Sequence, residues 1–273
     1  MEAYSVLMSI YRQENPAHLS LALESMMEQS IPTNDFVIVC DGPLTAELDN
    51  LLDSYAKRHP NVIRLIRLKE NVGIGKAANI GLSYCKNDLV AKMDGDDISV
   101  KNRCEMQLAR FAEKKELTVL GGDIDEFESD AEKPFSRRVV PKTNEAIRKF
   151  ARRRQPFNNM TVMYRRSAVE KVGGYRDFRR SEDYDLYLRL LQANYYTENL
   201  DAVLVKARVD LSAFKRRASF ETLKGCVRSR WYAFRTGYAS LWDFLFCVCG
   251  ETVILISPDP LRHWIYNRFL RNK

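Results

Sequence analysis

The chain has 273 residues, 45% of them apolar and 29% charged, with 43 lysines and arginines against 36 aspartates and glutamates. This composition excludes a disordered, collagen-like or low-complexity chain, and the length suffices for a full core without disulfide or metal cross-links. The charge is uneven: residues 1–132 carry 14 basic and 23 acidic side chains, whereas residues 133–180 carry 15 and 3, so the basic stretch has phosphorylated ligands, anionic lipid and nucleic acid as candidate partners.

The front half alternates apolar runs with amphipathic segments. Strands rich in Val, Ile and Leu are predicted over residues 4–10, 36–41, 62–68 and 89–94. Asn15 followed by Pro16 predicts the start of the first helix, and apolar residues at helical spacing predict further helices over residues 44–55, 75–85 and 104–112. This alternation predicts right-handed crossovers and a mainly parallel sheet with helices on both faces.

The pattern loosens after residue 117. Strands are predicted over residues 117–121, 160–164 and 203–209, and helices over residues 182–192, 219–238, 241–255 and 260–270. The stretch over residues 241–257 is the most apolar, but Asp243 and Glu251 interrupt it, so we expect it to be buried or interfacial rather than membrane-spanning. The six cysteines form no C-x-x-C pair and no cluster with histidine, which indicates free thiols, and we expect no secretory signal.

Polar residues follow each of the first four predicted strands. They are Tyr11, Asp41, Asn71 and the pair Asp94 and Asp96. In a parallel sheet, ligands bind beyond the carboxyl ends of the strands. We therefore expect these residues to meet at one edge of the sheet.

The sequence MDGDDIS at residues 93–99 is the strongest chemical feature. Asp94, Asp96 and Asp97 crowd three carboxylates into four residues, and their repulsion favours a bound divalent cation such as Mg²⁺ or Mn²⁺. The alternative is structural: Asp97 or Ser99 would cap a helix beginning near residue 100. That alternative does not account for Asp94 and Asp96.

The sequence NVGIGKAANIG at residues 71–81 is a glycine-bearing turn that leads into a helix. It departs from the dinucleotide-binding fingerprint, because four residues separate the strand from Gly73, and it lacks the P-loop spacing. A turn with Lys76 in the first turn of its helix can hold an anion. A purely conformational role for the glycines is equally compatible with the sequence.

The sequence SEDYDL at residues 181–186 opens a helix with three carboxylates. Glu182, Asp183 and Asp185 are favourable charges at a helix N-terminus, and taken alone they favour that interpretation over a general base. The basic residues 133–154 lack an aromatic-interleaved RNA-binding pattern, so we expect no nucleic acid partner. The tail alternates aromatic with basic residues, which fits either an interfacial helix or packing onto the core. These residues are Trp264, Tyr266, Phe269, Arg262, Arg268, Arg271 and Lys273.

Taken in order, these motifs resemble family 2 glycosyltransferases over about residues 3–210. The set comprises the opening at residues 4–11, Asp41-Gly42, residues 71–81, DGDD at 94–97 and Glu182-Asp183. The resemblance extends to bacterial enzymes of exopolysaccharide, capsule and O-antigen assembly, including the amylovoran type, through residues 41–45, 121–128 and 156–175.

The resemblance implies an α/β GT-A fold, Rossmann-like, over residues 1–215 and a helical extension over residues 216–273. It implies inverting, metal-dependent transfer of one sugar from a nucleotide-diphosphate-sugar, with UDP as the expected nucleotide. The acceptor would be a hydroxyl of a glycan, expected to be linked to a polyprenyl pyrophosphate, in cell-surface polysaccharide biosynthesis. The expected location is the cytoplasm, peripheral on the inner face of the plasma membrane through the C-terminal region.

The resemblance also assigns nucleotide-sugar contacts by position. Tyr11 and Asp41 would contact the base and ribose, Asn71 and Lys76 would line the same pocket, and Asp94 would approach the ribose and the metal.

The remaining roles follow the same motifs. Asp96 would be the ligand of Mn²⁺ or Mg²⁺, and Asp183 would be the catalytic base with Glu182 beside it. The sequence departs from the family at Arg12, where asparagine is frequent, and at Asn159, where histidine is frequent. The Q-x-x-R-W motif of processive synthases is absent, which indicates transfer of a single sugar.

Two alternatives compete with this interpretation. A sugar nucleotidyltransferase would need a glycine-rich loop with an arginine directly after the first strand, and residues 9–16 contain no glycine. A non-catalytic nucleotide-sugar-binding or membrane scaffold would keep the binding residues but would not need Asp183.

Overall fold

The computed structural model describes residues 2–177, 181–209 and 219–257. Nine strands form one sheet in the order β3-β2-β1-β4-β8-β6-β9-β5, with β7 paired to β6. The strands are β1 Tyr4–Ile10, β2 Asp35–Cys40, β3 Ile63–Arg67, β4 Leu89–Met93, β5 Ile98–Ser99, β6 Leu117–Phe127, β7 Ser136–Arg138, β8 Met163–Arg165 and β9 Tyr196–Arg208. The helices are α1 Pro16–Met27, α2 Ala46–Arg58, α3 Ile74–Tyr84, α4 Arg103–Glu113, α5 Asn144–Phe150, α6 Arg166–Lys171, α7 Glu182–Gln192, α8 Phe220–Arg235 and α9 Leu241–Ile256.

The first four strands pair in parallel, as the alternation of strands and helices predicts. Beyond β4 the sheet is mixed, because β8 runs antiparallel to both β4 and β6, whereas β6 and β9 run parallel. The architecture is therefore α/β, with the crossover half ending at β4.

Side chains of the central strands point alternately to two apolar layers. On β1, Val6 and Met8 pack in the cluster formed with α1, α2 and α4, whereas Leu7 faces α3 in the other. Burial on both faces explains why β1, β2 and β4 read as nearly continuous apolar runs.

The start of the first helix is confirmed. The Asn15 side chain accepts hydrogen bonds from the N–H groups of Ala17 and His18, at 2.9 and 3.3 Å, and Pro16 occupies the first helical position. The helix predicted over residues 104–112 is confirmed as α4, which begins at Arg103 after Asn102, so the alternative of a capped start near residue 100 is wrong. Neither Asp97 nor Ser99 caps that helix: Ile98–Ser99 instead pairs with β9.

Two predicted strands differ from those observed because long-range pairing extends or displaces them. The strand predicted over residues 117–121 continues to Phe127, along β9, which itself begins seven residues before the predicted residue 203. Residues predicted as a strand from 160 begin as a 3₁₀ turn over Asn159–Thr161, and the strand follows at Met163.

The two C-terminal helices form a hairpin that packs on the sheet domain. Trp231 of α8 contacts Phe244 of α9 with ring centroids 5.5 Å apart, and the Tyr238 hydroxyl donates to the carbonyl of Arg148 at 2.9 Å. Within the described residues no helix has the length and apolarity to cross a membrane. The predicted helix over residues 260–270, with its aromatic and basic side chains, lies outside the described residues. All six cysteines are free, and three of them are buried, namely Cys40, Cys85 and Cys104.

Candidate active site

The carboxyl edge of the parallel strands gathers the polar residues expected there. The Asp41 amide donates to the carbonyl of Ile10 at 2.8 Å, which places the end of β2 beside the end of β1 and the exposed ring of Tyr11. Asp94 follows β4, the other neighbour of β1. The predicted grouping of these positions at one edge is therefore observed.

Asp41 occupies the anion position of the glycine-bearing turn. Its carboxylate accepts the N–H groups of Val72 and Gly73 at 2.7 and 3.0 Å, immediately before α3 begins. In the structure the partner of these N–H groups is the side chain of Asp41, and binding of an external anion at the turn stays a prediction. The turn thereby fixes the carboxylate at the sheet edge.

Gly42 lets β2 approach the same turn closely. Its φ is +87°, and a Cβ there would lie 2.8 Å from the backbone nitrogen of Asn71. The Asn71 side chain in turn donates to the Asp41 carbonyl at 3.1 Å. Only glycine combines this φ with this approach at low cost.

The first turn of α3 lies against the segment before α7. A Cβ on Gly75 would be 3.5 Å from the Cβ of Glu182, and Lys76 pairs with Asp177 at 2.8 Å. The acidic motif at residues 181–186 is thereby brought to the edge formed by β1, β2 and β4, although about a hundred residues separate it from α3.

The acidic turn after β4 is crowded and partly shielded from water. Burial raises the pKa of Asp94 to about 6, with Lys92 opposing the shift and Asp96 and Asp183 adding to it. Burial, reinforced by Asp96 and Asp94, also raises the pKa of Asp97 well above its usual range. A nearby cation would relieve this repulsion.

Arg208 at the end of β9 holds the acidic turn in place. Its backbone N–H donates to the carboxylate of Asp97 at 2.8 Å, its Nε donates to the Asp96 carbonyl at 3.2 Å, and its Nη1 donates to the Glu128 carbonyl at 3.2 Å. No pattern around residue 208 predicts this, since the contact spans more than 110 residues of sequence.

Asp183 lies at the start of α7 and shares the environment of the acidic turn. Gln155 donates to its carboxylate through Nε2 at 2.7 Å. Burial raises the pKa of Asp183, while the hydrogen bond from Gln155 and the charge of Arg138 oppose the rise. The charge of Asp183 also contributes to the raised pKa of Asp94.

Asp185 has a different role from its neighbour. Its side chain is fully buried and pairs with Arg189 at 2.8 Å and with Arg176 at 3.5 Å. The interpretation of the acidic motif as structural charge therefore fits Asp185, whereas the Asp183 carboxylate accepts hydrogen bonds from Gln155 and from the N–H of Tyr184 at the helix start.

Two further charged residues of the edge are not apparent from the motifs. Glu14 lies close enough to Asp96 and Asp94 that, together with burial, their charges raise its pKa to about 7. Lys92 is almost completely buried in β4, and burial lowers its pKa against the opposing charges of Asp94 and Glu182. The sequence does contain a signal for Lys92, because it is a lysine inside the apolar run LVAKM at residues 89–93.

The departures from the family pattern have different surroundings. Arg12 is exposed beside Tyr11. Asn159 accepts a hydrogen bond from the buried Tyr187 hydroxyl at 2.8 Å. The side-chain amide of Asn159 is therefore held in place by a hydrogen bond from the protein core.

The acidic turn fits a hard divalent cation only as an incomplete ligand set. In the parts of the chain that the structure describes, no group of three or more His, Cys, Asp or Glu side chains could hold a metal ion by itself. Asp94 and Asp96 nevertheless offer carboxylate oxygens whose mutual repulsion a cation would offset. Such cations commonly complete their coordination with water and substrate phosphates.

The family model described as glycosyl transferase family 2 matches residues 5–175. The chain belongs to this family. The match contains β1 to β4, the acidic turn and Gln155, and it ends before α7. The enzyme is therefore a glycosyltransferase, and family membership favours this over the nucleotidyltransferase and scaffold alternatives.

Two relatives of this glycosyltransferase match it over most of their length. A UDP-Gal:alpha-D-GlcNAc-diphosphoundecaprenol beta-1,3-galactosyltransferase of Escherichia coli is 32% identical, covering 98% of this chain and 96% of that protein. The amylovoran biosynthesis glycosyltransferase AmsE of Erwinia amylovora is 34% identical, covering 82% of this chain and 83% of that protein.

The fold of this glycosyltransferase is GT-A. The mannosyltransferase PcManGT from Pyrobaculum calidifontis, solved in complex with GDP-Man and Mn²⁺, superposes with a TM-score of 0.66 at 13% identity. The superposition covers 97% of this chain and 79% of that one. The predicted fold class is thereby confirmed, including the helical C-terminal region.

Proposed function

We propose that the enzyme transfers a single sugar, with inversion, from a UDP-sugar to a hydroxyl of a lipid-linked glycan in cell-surface polysaccharide biosynthesis. The observation that carries this proposal is the packing of the start of α7 against the first turn of α3, where a Cβ on Gly75 would lie 3.5 Å from the Cβ of Glu182. This contact brings the candidate base Asp183, next to Glu182, to the edge of the sheet where the turn before α3 holds Asp41. The printed activity of the Escherichia coli relative supports the donor and the acceptor classes, and the name of the Erwinia amylovora relative supports polysaccharide biosynthesis.

The nucleotide-sugar is proposed to bind along the carboxyl edge of β1, β2 and β4. Tyr11 and Asp41 would contact its base and ribose, and Asn71 and Lys76 would line the same pocket. Asp94 would approach the ribose and the metal. The fixed turn that holds the Asp41 carboxylate supports this assignment, since a preorganised polar group loses little conformational entropy on binding.

Asp96, with Asp94 beside it, would hold Mg²⁺ or Mn²⁺. When bound, such a cation supplies Lewis-acid neutralisation of the charge that develops on the departing diphosphate. The turn bearing both aspartates is held from β9 by Arg208, which supports a fixed position for the carboxylates.

Asp183 is proposed to remove the proton from the acceptor hydroxyl, which attacks the anomeric carbon from the face opposite the diphosphate. A base without an enzyme nucleophile is the arrangement of single displacement with inversion. Gln155 orients the Asp183 carboxylate and stabilises its ionised form. Glu182, next to Asp183 and against α3, is placed to shape the same site.

The chain is proposed to divide into a catalytic domain and a C-terminal appendage. Residues 1–215 are proposed as the catalytic domain and residues 216–273 as an appendage that contacts the membrane from the side of the acceptor. A cytoplasmic enzyme held peripherally at the inner face of the plasma membrane would meet a polyprenyl-linked acceptor there.

The decisive experiment is Asp183→Asn, assayed with UDP-galactose and UDP-N-acetylglucosamine as donors and a GlcNAc-diphosphate lipid as acceptor. Loss of the base should lower turnover by a factor of about 10² to 10⁴ and leave UDP binding within about twofold. Asp201→Asn, on the exposed start of the second half of β9, is the matched control and should keep full turnover. Wild-type turnover in Asp183→Asn would refute the assignment of the base, and retention of the donor's anomeric configuration in the product would refute inversion.

A further inference from the structure

The outward side of α9 is apolar along its whole length. Successive helical residues are turned by about 100°, so positions 242, 245, 246, 249, 253 and 256 share one side. Trp242 and Ile256, at its two ends, are 77% and 74% exposed. No exposed residue of the helix is charged; the exposed positions are Leu241, Trp242, Leu245, Phe246, Cys249, Gly250, Val253 and Ile256.

The two acidic residues of α9 point away from this surface. Asp243 is buried, caps the helix through Ser240 and pairs with Arg153 at 2.5 Å. Glu251 lies about 180° around the helix from Trp242 and is partly buried. The charge of Arg230 on α8, which opposes the rise that burial causes in the pKa of Glu251, agrees with this orientation. The charged residues that interrupt the apolar stretch in the sequence therefore leave its outward side uninterrupted.

The partner helix α8 has an ordinary solvated surface. It has the same length of 16 residues, and its exposed positions include charged side chains of both signs, namely Glu221, Lys224, Arg228 and Arg235. The hairpin is thus apolar outward on one helix only. A contiguous exposed apolar surface of this kind marks an interaction site.

One basic side chain, Arg153, contacts α9, and two more lie close to it in the chain. Lys149, Arg152 and Arg153 are exposed at and after the end of α5. The guanidinium of Arg153 lies 5.0 Å from the ring centroid of Phe246. Aromatic and aliphatic side chains flanked by lysine and arginine are the combination that binds an anionic membrane surface.

The length of α9 fits a helix that lies on a bilayer rather than one that crosses it. Sixteen residues extend over about 24 Å, which is less than the hydrocarbon thickness of about 30 Å. Its charged residues, Asp243 and Glu251, are buried or partly buried on its other sides, so only the outward side is available to lipid. Such a helix inserts its outward side alone.

A short segment connects this surface to the proposed base. The Arg153 carbonyl accepts from the Cys247 thiol of α9 at 3.3 Å. Two residues further along, Gln155 donates to Asp183. Docking α9 on a membrane would therefore hold the segment that bears Gln155, and with it the proposed base Asp183, toward the lipid that carries the acceptor.

We propose that the outward side of α9, with Lys149, Arg152 and Arg153, is the docking surface for a bilayer containing anionic phospholipid. This inference deepens the proposed function, since it rests on the lipid-linked acceptor proposed there. It also locates the membrane contact on one side of α9, within residues 241–257 that the sequence predicts to be buried or interfacial.

The test is cosedimentation of the full chain with vesicles of phosphatidylcholine alone or mixed with phosphatidylglycerol. The double variant Trp242→Ser and Phe246→Ser should bind mixed vesicles at least about tenfold more weakly, because it lacks the apolar area that the two rings would bury in the bilayer. Phe220→Ser is the matched control: it removes a 75%-exposed ring from α8 and should bind as the wild type does. Arg152→Gln should weaken binding to mixed vesicles about fivefold and leave weak binding to neutral vesicles unchanged.

Three outcomes would overturn the docking surface. The double variant could bind as tightly as the wild type. The wild type could form a dimer that Trp242→Ser dissociates, which would assign the surface to a second copy. The wild type could remain a monomer and bind neither type of vesicle.

A parallel assay separates this inference from the proposed function. Transfer to a water-soluble, short-chain acceptor should be the same in the double variant and the wild type. Transfer without vesicle binding would refute docking and leave the function standing, whereas vesicle binding without transfer to any acceptor would do the reverse.

Discussion

The carboxyl edge of the parallel strands carries fixed polar groups, whereas α9 of the α8–α9 hairpin exposes apolar ones. At the edge, carboxylates are held by backbone amides: Asp41 by the turn before α3 and Asp97 by the end of β9. On α9, the polar groups turn inward and the apolar ones face out. Preorganised polar groups suit the binding and activation of a small charged ligand, whereas an exposed apolar face suits a second surface.

The difference predicts that substitutions will separate into two classes. Changes at the edge should alter donor binding or turnover and leave vesicle binding unchanged. Changes on the outward side of α9 should do the opposite. A variant that altered both to the same extent would break this comparison.

The largest effect is expected from Asp96→Ala. Removing a proposed ligand should weaken Mn²⁺-dependent UDP binding by more than the roughly 10- to 100-fold that substitutions around a metal site cost. Calorimetry of Mn²⁺ binding and of UDP binding measures this without turnover. Asp53→Ala, an exposed carboxylate on α2, is the control. Unchanged metal and UDP binding in Asp96→Ala would contradict the ligand role.

Gly42→Ala should destabilise the fold at the edge. The substitution imposes an alanine at φ +87° and places its Cβ 2.8 Å from the Asn71 nitrogen, so we expect a loss of about 2 kcal/mol or more in the free energy of unfolding. Urea unfolding measures the loss. Gly73→Ala is the matched control, because its φ is +89° but a Cβ there meets nothing within 4 Å. Equal losses in the two variants would show that the close approach to Asn71 is not costly.

Gln155→Met should shift the pH dependence of turnover. The base must be ionised, and the Gln155 amide donates to the ionised carboxylate, so its removal raises the pKa of Asp183 further. The acidic limb of the profile should move to higher pH by about one unit. Activity at pH values well above that limb should change little. A limb that stayed in place would show that Gln155 does not stabilise ionised Asp183.

Arg208→Lys should have the smallest effect. Lysine cannot reproduce both hydrogen bonds that Nε and Nη1 of Arg208 donate to the Asp96 and Glu128 carbonyls, although the backbone N–H to Asp97 remains. With about 1 kcal/mol for a hydrogen bond, UDP affinity should fall about three- to tenfold, with vesicle binding unchanged. Wild-type UDP affinity in this variant would show that the acidic turn holds its position without the side chain.

Most of the edge could be predicted from local pattern. The runs at residues 4–10 and 89–94 are β1 and β4 within one residue, and the cap at Asn15 begins α1. These features depend on alternation and capping within a few residues, which the sequence contains directly. The shared position of the motifs after the strands could be predicted because parallel strands end at the same side of a sheet.

The contacts that complete the site could not be predicted in this way. Arg208 reaches the acidic turn from β9, and Gln155 reaches Asp183 from a segment without regular structure. The capping role considered for Asp97 was wrong because pairing of Ile98–Ser99 with β9 outweighed the local signal. Each of these outcomes depends on which remote segments pack together.

By itself, the sequence determined the elements of the crossover half, the order of its chemical motifs and the apolar character of residues 241–257. Those properties follow from spacing along the chain. Only the tertiary structure decided that the start of α7, with Asp183, packs against α3, that Asp185 belongs to the core, and that the outward side of α9 is left uncovered. The physical reason is that a helix has several sides, and the packing of distant elements determines which of them is buried.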